Sequence, residues 1–106
     1  MILMSALSAF DALADPSRRQ ILDLLIAGPR PVGELVAATG LSQPNTSRHL
    51  RLLRDAQLVR ATPNGQRRLY CLQADGLREL ELWLAPYRRL WRGRLQALEA
   101  HLDETE

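Results

Sequence analysis

The chain has 106 residues, 46% hydrophobic and 25% charged, which suits one soluble globular domain and argues against disorder. Its longest apolar stretches, "ILDLLIA" and "ELELWLAPY", fall far short of the roughly 20 residues that span a bilayer. All 14 basic residues are Arg, and they are unevenly placed: net charge is −1 over residues 1–41, +5 over 42–68 and −2 over 69–106. A basic middle is either the footprint of a nucleic-acid surface or a solvated charged face.

The N-terminal "MILMSALSAF" is apolar, but no Lys or Arg precedes it, and Asp11 and Asp15 follow. It does not read as a signal peptide, and a cytoplasmic location is expected. A first helix is predicted over about 4–14, with Leu3, Leu7 and Phe10 on one stripe. "DPSRRQILDLLIAG" opens a second, with Asp15 as N-cap, Pro16 at the first helical position, and Gly28 and Pro29 as the stop. A third is predicted over about 32–39, ended by Gly40. Ser42 then caps a fourth, which runs to about Ala56 with Pro44 in its first turn. Two helices joined by a turn of about three residues containing Gly form the helix-turn-helix signature.

"LVRATPNGQRRLYCL" switches to a period of two. Residues 58–61 and 68–72 read as strands, with "PNG" and Gln66 as the turn between them. The single cysteine, Cys71, excludes an internal disulfide and a Cys-rich zinc site. It reads either as a small hydrophobe or, with Arg67 and Arg68 close by, as a redox-responsive thiol. The last segment, about 75–102, is helical, with Pro86 expected to break or kink it near Ala85. Leu80, Trp83, Leu84, Tyr87, Leu90, Trp91, Leu95 and Leu98 make a wide apolar stripe along it. The predicted fold is mainly α with a small β-hairpin: one winged helix-turn-helix domain over 1–106, about five helices plus a two-stranded wing.

On the fourth helix, at 100° per residue, Thr46, Leu50 and Leu53 face the core. Pro44, Ser47, Arg48 and Arg51 face away, Asn45 lies at the edge of that arc, and Gln43 is exposed at the N-terminal end. These side chains match base edges and phosphates. Arg pairs with guanine, Asn and Gln with adenine, and the first backbone N–H groups suit phosphate. No acid interrupts 42–54, whereas a merely solvated helix mixes signs. The expected DNA contacts are Ser42, Gln43, Asn45, Ser47, Arg48, His49 and Arg51, with Gln66, Arg67 and Arg68 anchoring the wing. For His49 two readings stand: a side chain bracing the helix, or a DNA contact. A winged helix can also serve as a protein-interaction module, but that needs no acid-free polar face. Catalysis is not expected. Ser47 and His49 point about 200° apart, and no Gly-rich phosphate loop or paired carboxylates are present.

"ALADPSRR.IL.LL", "LSQ...SRHL..LR.A.LV" and "NGQRRLYCL" together resemble the ArsR/SmtB family of bacterial winged-helix repressors, over nearly the whole chain. The resemblance implies a homodimer paired through the first and last helices. It implies binding to an imperfect palindrome in a promoter, repression (often of the chain's own operon) and release by an inducer. Two positions depart from the family pattern. Thr46 stands where Val or Ile is usual, which implies softer packing beneath the helix. Asn45 stands where a small residue is usual, which implies a change in the base read.

Metal-sensing members resemble one another in a Cys motif on the third helix, yet "PVGELVAATG" has neither Cys nor His. The last helix offers His101 with Glu99 and Asp103 nearby, where zinc takes about four ligands. No metal and no other cofactor is expected. The long last helix resembles that of a non-metal subgroup. Trp83, Tyr87 and Trp91, four apart, are expected to pack a dimer interface with Leu3, Leu7, Phe10, Leu80, Leu84 and Leu90. A small-molecule inducer pocket between subunits is the alternative use of these aromatics.

Overall fold

The computed structural model describes residues 8–104. Leu3, Leu7 and the expected start of the first helix lie outside them. Within them, α1 (Ala9–Leu13) begins with a capping box: Asp11 N donates to Ser8 Oγ at 3.2 Å, and Ser8 N to Asp11 Oδ2 at 3.3 Å. α2 (Pro16–Leu25) starts as predicted, with Asp15 accepting from Arg18 N and Pro16 at its first position. α3 (Val32–Thr39) ends at Gly40, whose φ of 76° closes the last turn. α4 (Gln43–Asp55) is capped by Ser42, which accepts from Asn45 N. The α3–turn–α4 unit is the expected helix-turn-helix.

The sheet has one strand more than the sequence suggested. β1 (Arg30–Pro31) pairs with β3 (Arg67–Leu72), which pairs with β2 (Val59–Asn64), giving an antiparallel order β1-β3-β2. Two residues are too few to leave an alternating pattern, so β1 is invisible to periodicity. The β2–β3 hairpin also runs further than expected. Asn64 pairs with Arg67, so the turn is only Gly65 and Gln66, and Gly65 takes the positive φ (67°) that a two-residue II′-type turn needs. β2 is an edge strand, where Pro63 is tolerated.

α5 (Ala74–Glu104) runs unbroken through Pro86, so of the break or kink expected near Ala85 the break does not occur. Pro86 removes a donor to the Leu82 carbonyl, but Leu82 is 67% exposed, so water can take that bond.

Ile21 and Leu25 from α2, Leu35 from α3 and Leu50 and Leu53 from α4 close over Leu58 and Val59 to form the core. Thr46 is fully buried among them, and its hydroxyl donates to the Ser42 carbonyl at 2.9 Å. The hydroxyl, the one polar atom that Thr brings where Val or Ile is usual, is thereby satisfied within its own helix.

The joint between α4 and α5 is tight. Leu58 N bonds Leu53 O and Gln57 N bonds Arg54 O, both at 2.9 Å, which is a Schellman ending with Gln57 at φ 61° where Gly is usual. Gly76 then sits against this turn. A Cβ there would lie 2.6 Å from the Ala56 carbonyl oxygen and 2.8 Å from that of Gln57. Beyond the joint, α5, about 46 Å long at 1.5 Å per residue, runs clear of the body. The radius of gyration is accordingly 18.2 Å, against about 13 Å for a compact chain of this size.

Candidate nucleic-acid interface

α4 turns its buried row, Thr46, Leu50 and Leu53, into the core, so the other side must face outward. Gln43, Pro44, Asn45, Ser47, Arg48 and Arg51 are all exposed there. A groove of about 760 Å³ runs beside this face. Gln43 and Ser47 line one wall, Gln66, Arg67, Arg68 and Tyr70 of the wing another, and the start of α3 a third. α4 and the wing are thus brought to one concave surface. Asn45, Arg48 and Arg51 lie outside the groove lining, on the exposed remainder of α4.

Among the described residues, no side-chain hydrogen bond or ion pair engages Arg48, Arg51, Arg67 or Arg68. These cations are available to an outside partner. Ser42 is less free, since its Oγ already accepts from Asn45 N at 3.2 Å. A feature that sequence reasoning missed is the start of α3. Its N-cap is Pro31, with no side-chain cap bond, and Val32 and Gly33 line the groove. Uncapped N–H groups at a helix start favour anions, but Glu34 of the same first turn also lines the groove and places a carboxylate beside them. The signal was in the sequence: no Ser, Thr, Asp or Asn immediately precedes Val32.

His49 is only 6% exposed and lies on the underside of α4, with its Nδ1 3.4 Å from Arg18 Nη1. Of its two readings, this placement is that of a brace. Expected among the DNA contacts and between the core and outer faces, the side chain lies instead on the core side, one residue and about 100° round the helix from the exposed Arg48. Burial, with the nearby Arg48 and Arg18 charges, pulls its pKa below the ordinary value, while Asp15 pulls the other way. Burial tends to raise the Asp15 carboxyl, but the Arg18 backbone N–H and the positive charges of His49 and Arg18 outweigh it and hold it low. Cys71, half-buried, faces Arg60 across the ladder and accepts from its Nε at 3.2 Å. Arg67 and Arg68, its expected basic neighbours, stand nearer the hairpin tip.

Residues 15–61 match the model of the "bacterial regulatory protein, arsR family". An HTH-type transcriptional regulator of Mycobacterium tuberculosis is 40% identical over 98 residues, 92% of each chain. The chain belongs to the ArsR family of bacterial regulatory proteins. Transcriptional repressor SdpR of Bacillus subtilis is 34% identical over 73% of this chain and 86% of its own. Among solved structures, the homodimeric winged helix-turn-helix DNA-binding domain of a possible ArsR-family regulator from Mycobacterium bovis superposes with a TM-score of 0.62. It is 34% identical and covers 76% of this chain and 75% of that one. The family and these relatives are DNA-binding transcriptional regulators, not enzymes.

On α5, Phe10 of α1 meets Trp83 edge-on at 5.6 Å, and Trp83 stacks on Tyr87 at 4.7 Å. Trp83, Leu84, Tyr87, Leu90 and Trp91 are between 43% and 64% exposed. Leu80 differs from them: it is half-buried and packs on the chain's own core. No helix among the described residues is long and apolar enough to cross a membrane, and no cluster of three metal-ligating side chains occurs among them.

Proposed function

We propose that this ArsR-family chain is a homodimeric transcriptional repressor that reads an imperfect palindrome in a promoter, its own included. The observation that carries the reading is the pairing of two exposed surfaces. One is the acid-free polar face of α4 with the wing arginines beside it. The other is an aromatic row on α5, Trp83, Tyr87 and Trp91, each more than half exposed among the described residues. Gln43, Asn45, Ser47, Arg48 and Arg51 meet the major groove and its flanking phosphates. Ser42 caps the reading helix and sits at its edge. Gln66, Arg67 and Arg68 hold the adjacent backbone. The aromatic row pairs two copies, which sets two recognition helices about 34 Å apart, one turn of the duplex. Repression follows if that site overlaps a promoter, as the name of the B. subtilis relative suggests.

The test is fluorescence anisotropy with DNA from upstream of the chain's own gene, against scrambled DNA, across a salt series. Selective binding should weaken by about 0.9 log unit per log unit of salt for each phosphate neutralised. Equal, salt-insensitive binding to both duplexes would refute the reading.

A further inference from the structure

Arg18, on α2, is half-buried and fully employed. Its Nε donates to the Ala12 carbonyl at 2.7 Å and its Nη2 to that of Asp11 at 3.2 Å. Both carbonyls belong to the end of α1, where helical donors run out. The remaining arm, Nη1, reaches His49 Nδ1 under α4 at 3.4 Å. A guanidinium has no acceptor, so Nδ1 must accept and the neutral ring carries its proton on Nε2. The planar fork serves three acceptors at once, which a Lys ammonium on a flexible stem cannot match. At its other end α1 is fixed to α5: Ala9 N donates to Glu79 Oε1 at 3.2 Å, and Phe10 lies against Trp83. A continuous chain of contacts therefore runs from the aromatic row, through α1 and Arg18, to the buried side of the reading helix.

We propose that Arg18 is a positioning residue for DNA reading, acting through His49 to fix α4 against α1 and hence against the dimer seam. The inference rests on the DNA reading above. The charged groups around the imidazole are Arg18 and Asp15 from the α2 side and Arg48 on α4 itself. Protonating the ring removes the acceptor that Arg18 uses and sets a third cation beside Arg18 and Arg48. Asp15 offsets this only in part. The helix is then held less firmly, and selective reading weakens. If His49 instead touched phosphate, protonation would strengthen binding. The two roles give opposite signs.

The experiment uses the full chain and a duplex that the wild type selects from a random pool, with a scrambled duplex beside it, in anisotropy titrations from pH 8 to pH 5. Wild-type affinity for the selected duplex should fall about tenfold toward pH 5, with little change for the scrambled one. His49→Gln, which keeps a neutral acceptor, should bind as the wild type does at pH 8 and show a flat profile. Arg18→Lys should lose about tenfold in selectivity at every pH while keeping its affinity for scrambled DNA. A wild-type affinity that rises as pH falls, or an Arg18→Lys protein as selective as the wild type, would overturn the proposal. Should Arg18→Lys fail to fold, the His49→Gln profile decides alone. A wild type that selects no duplex would overturn the DNA reading itself, whereas selection with a flat wild-type profile would overturn only the positioning role.

Discussion

α4 and α5 both expose a long face, and the two faces have opposite chemistry. α4 presents Gln43, Asn45, Ser47, Arg48 and Arg51 and buries its apolar row. α5 presents Trp83, Tyr87, Leu90, Trp91, Leu95 and Leu98. The first face is well solvated by water and can exchange those hydrogen bonds for base edges and phosphates. The second is disfavoured in water by about 25 cal/mol for every Å² left uncovered, so it gains by meeting another apolar surface. Exposure alone does not identify a partner. The kind of atom exposed does, and here it separates the proposed DNA face from the proposed self-association face within one chain.

The sharpest way to break that distinction is to make the α5 face polar. Trp83→Glu combined with Trp91→Glu should leave a folded chain whose mass by light scattering is a single 12.0 kDa unit instead of two. Operator affinity should drop at least about a hundredfold, since the second half-site is no longer an intramolecular partner. A change confined to α4 should behave differently. Arg48→Ala with Arg51→Ala should leave the dimer and the melting temperature intact. It should weaken DNA binding and lower the salt slope by about one for each phosphate no longer neutralised. The joint between the two helices can be tested as well. Gly76→Ala pushes a methyl group against the Ala56 and Gln57 carbonyls and should cost about 1–3 kcal/mol in urea unfolding. The smallest effect is expected from Gln57→Gly. Relieving the left-handed backbone at this exposed position should stabilise the chain by about 0.5–1 kcal/mol, seen as a higher urea midpoint at unchanged slope.

The legible parts of the molecule were those with local signals. Asp15–Pro16, Gly40 and Ser42 punctuate the helices so plainly that their boundaries follow from capping chemistry. The alternation Thr46, Leu50, Leu53 against Ser47, Arg48, Arg51 places the exposed polar face from the helical period alone. Other features depend on residues distant in sequence and were hidden. β1 is two residues long and exists because β3 passes beside it. His49 lies near the border of the two faces of α4, and Arg18, 31 residues away, decides its side. Gln57 takes a glycine's conformation because the Schellman bonds and the buried Leu58 impose it. Pro86 reads as a helix breaker, yet α5 lies exposed around it, where a lost backbone bond is replaced by water.

The central claim is that a pair of these chains reads DNA with both α4 helices. Hydroxyl-radical footprinting on a selected duplex tests it most directly. The account predicts two protected segments on one face of the DNA, about 10 base pairs apart, both lost together in the Trp83→Glu, Trp91→Glu protein. A single protected segment, or two that survive those substitutions, would contradict it.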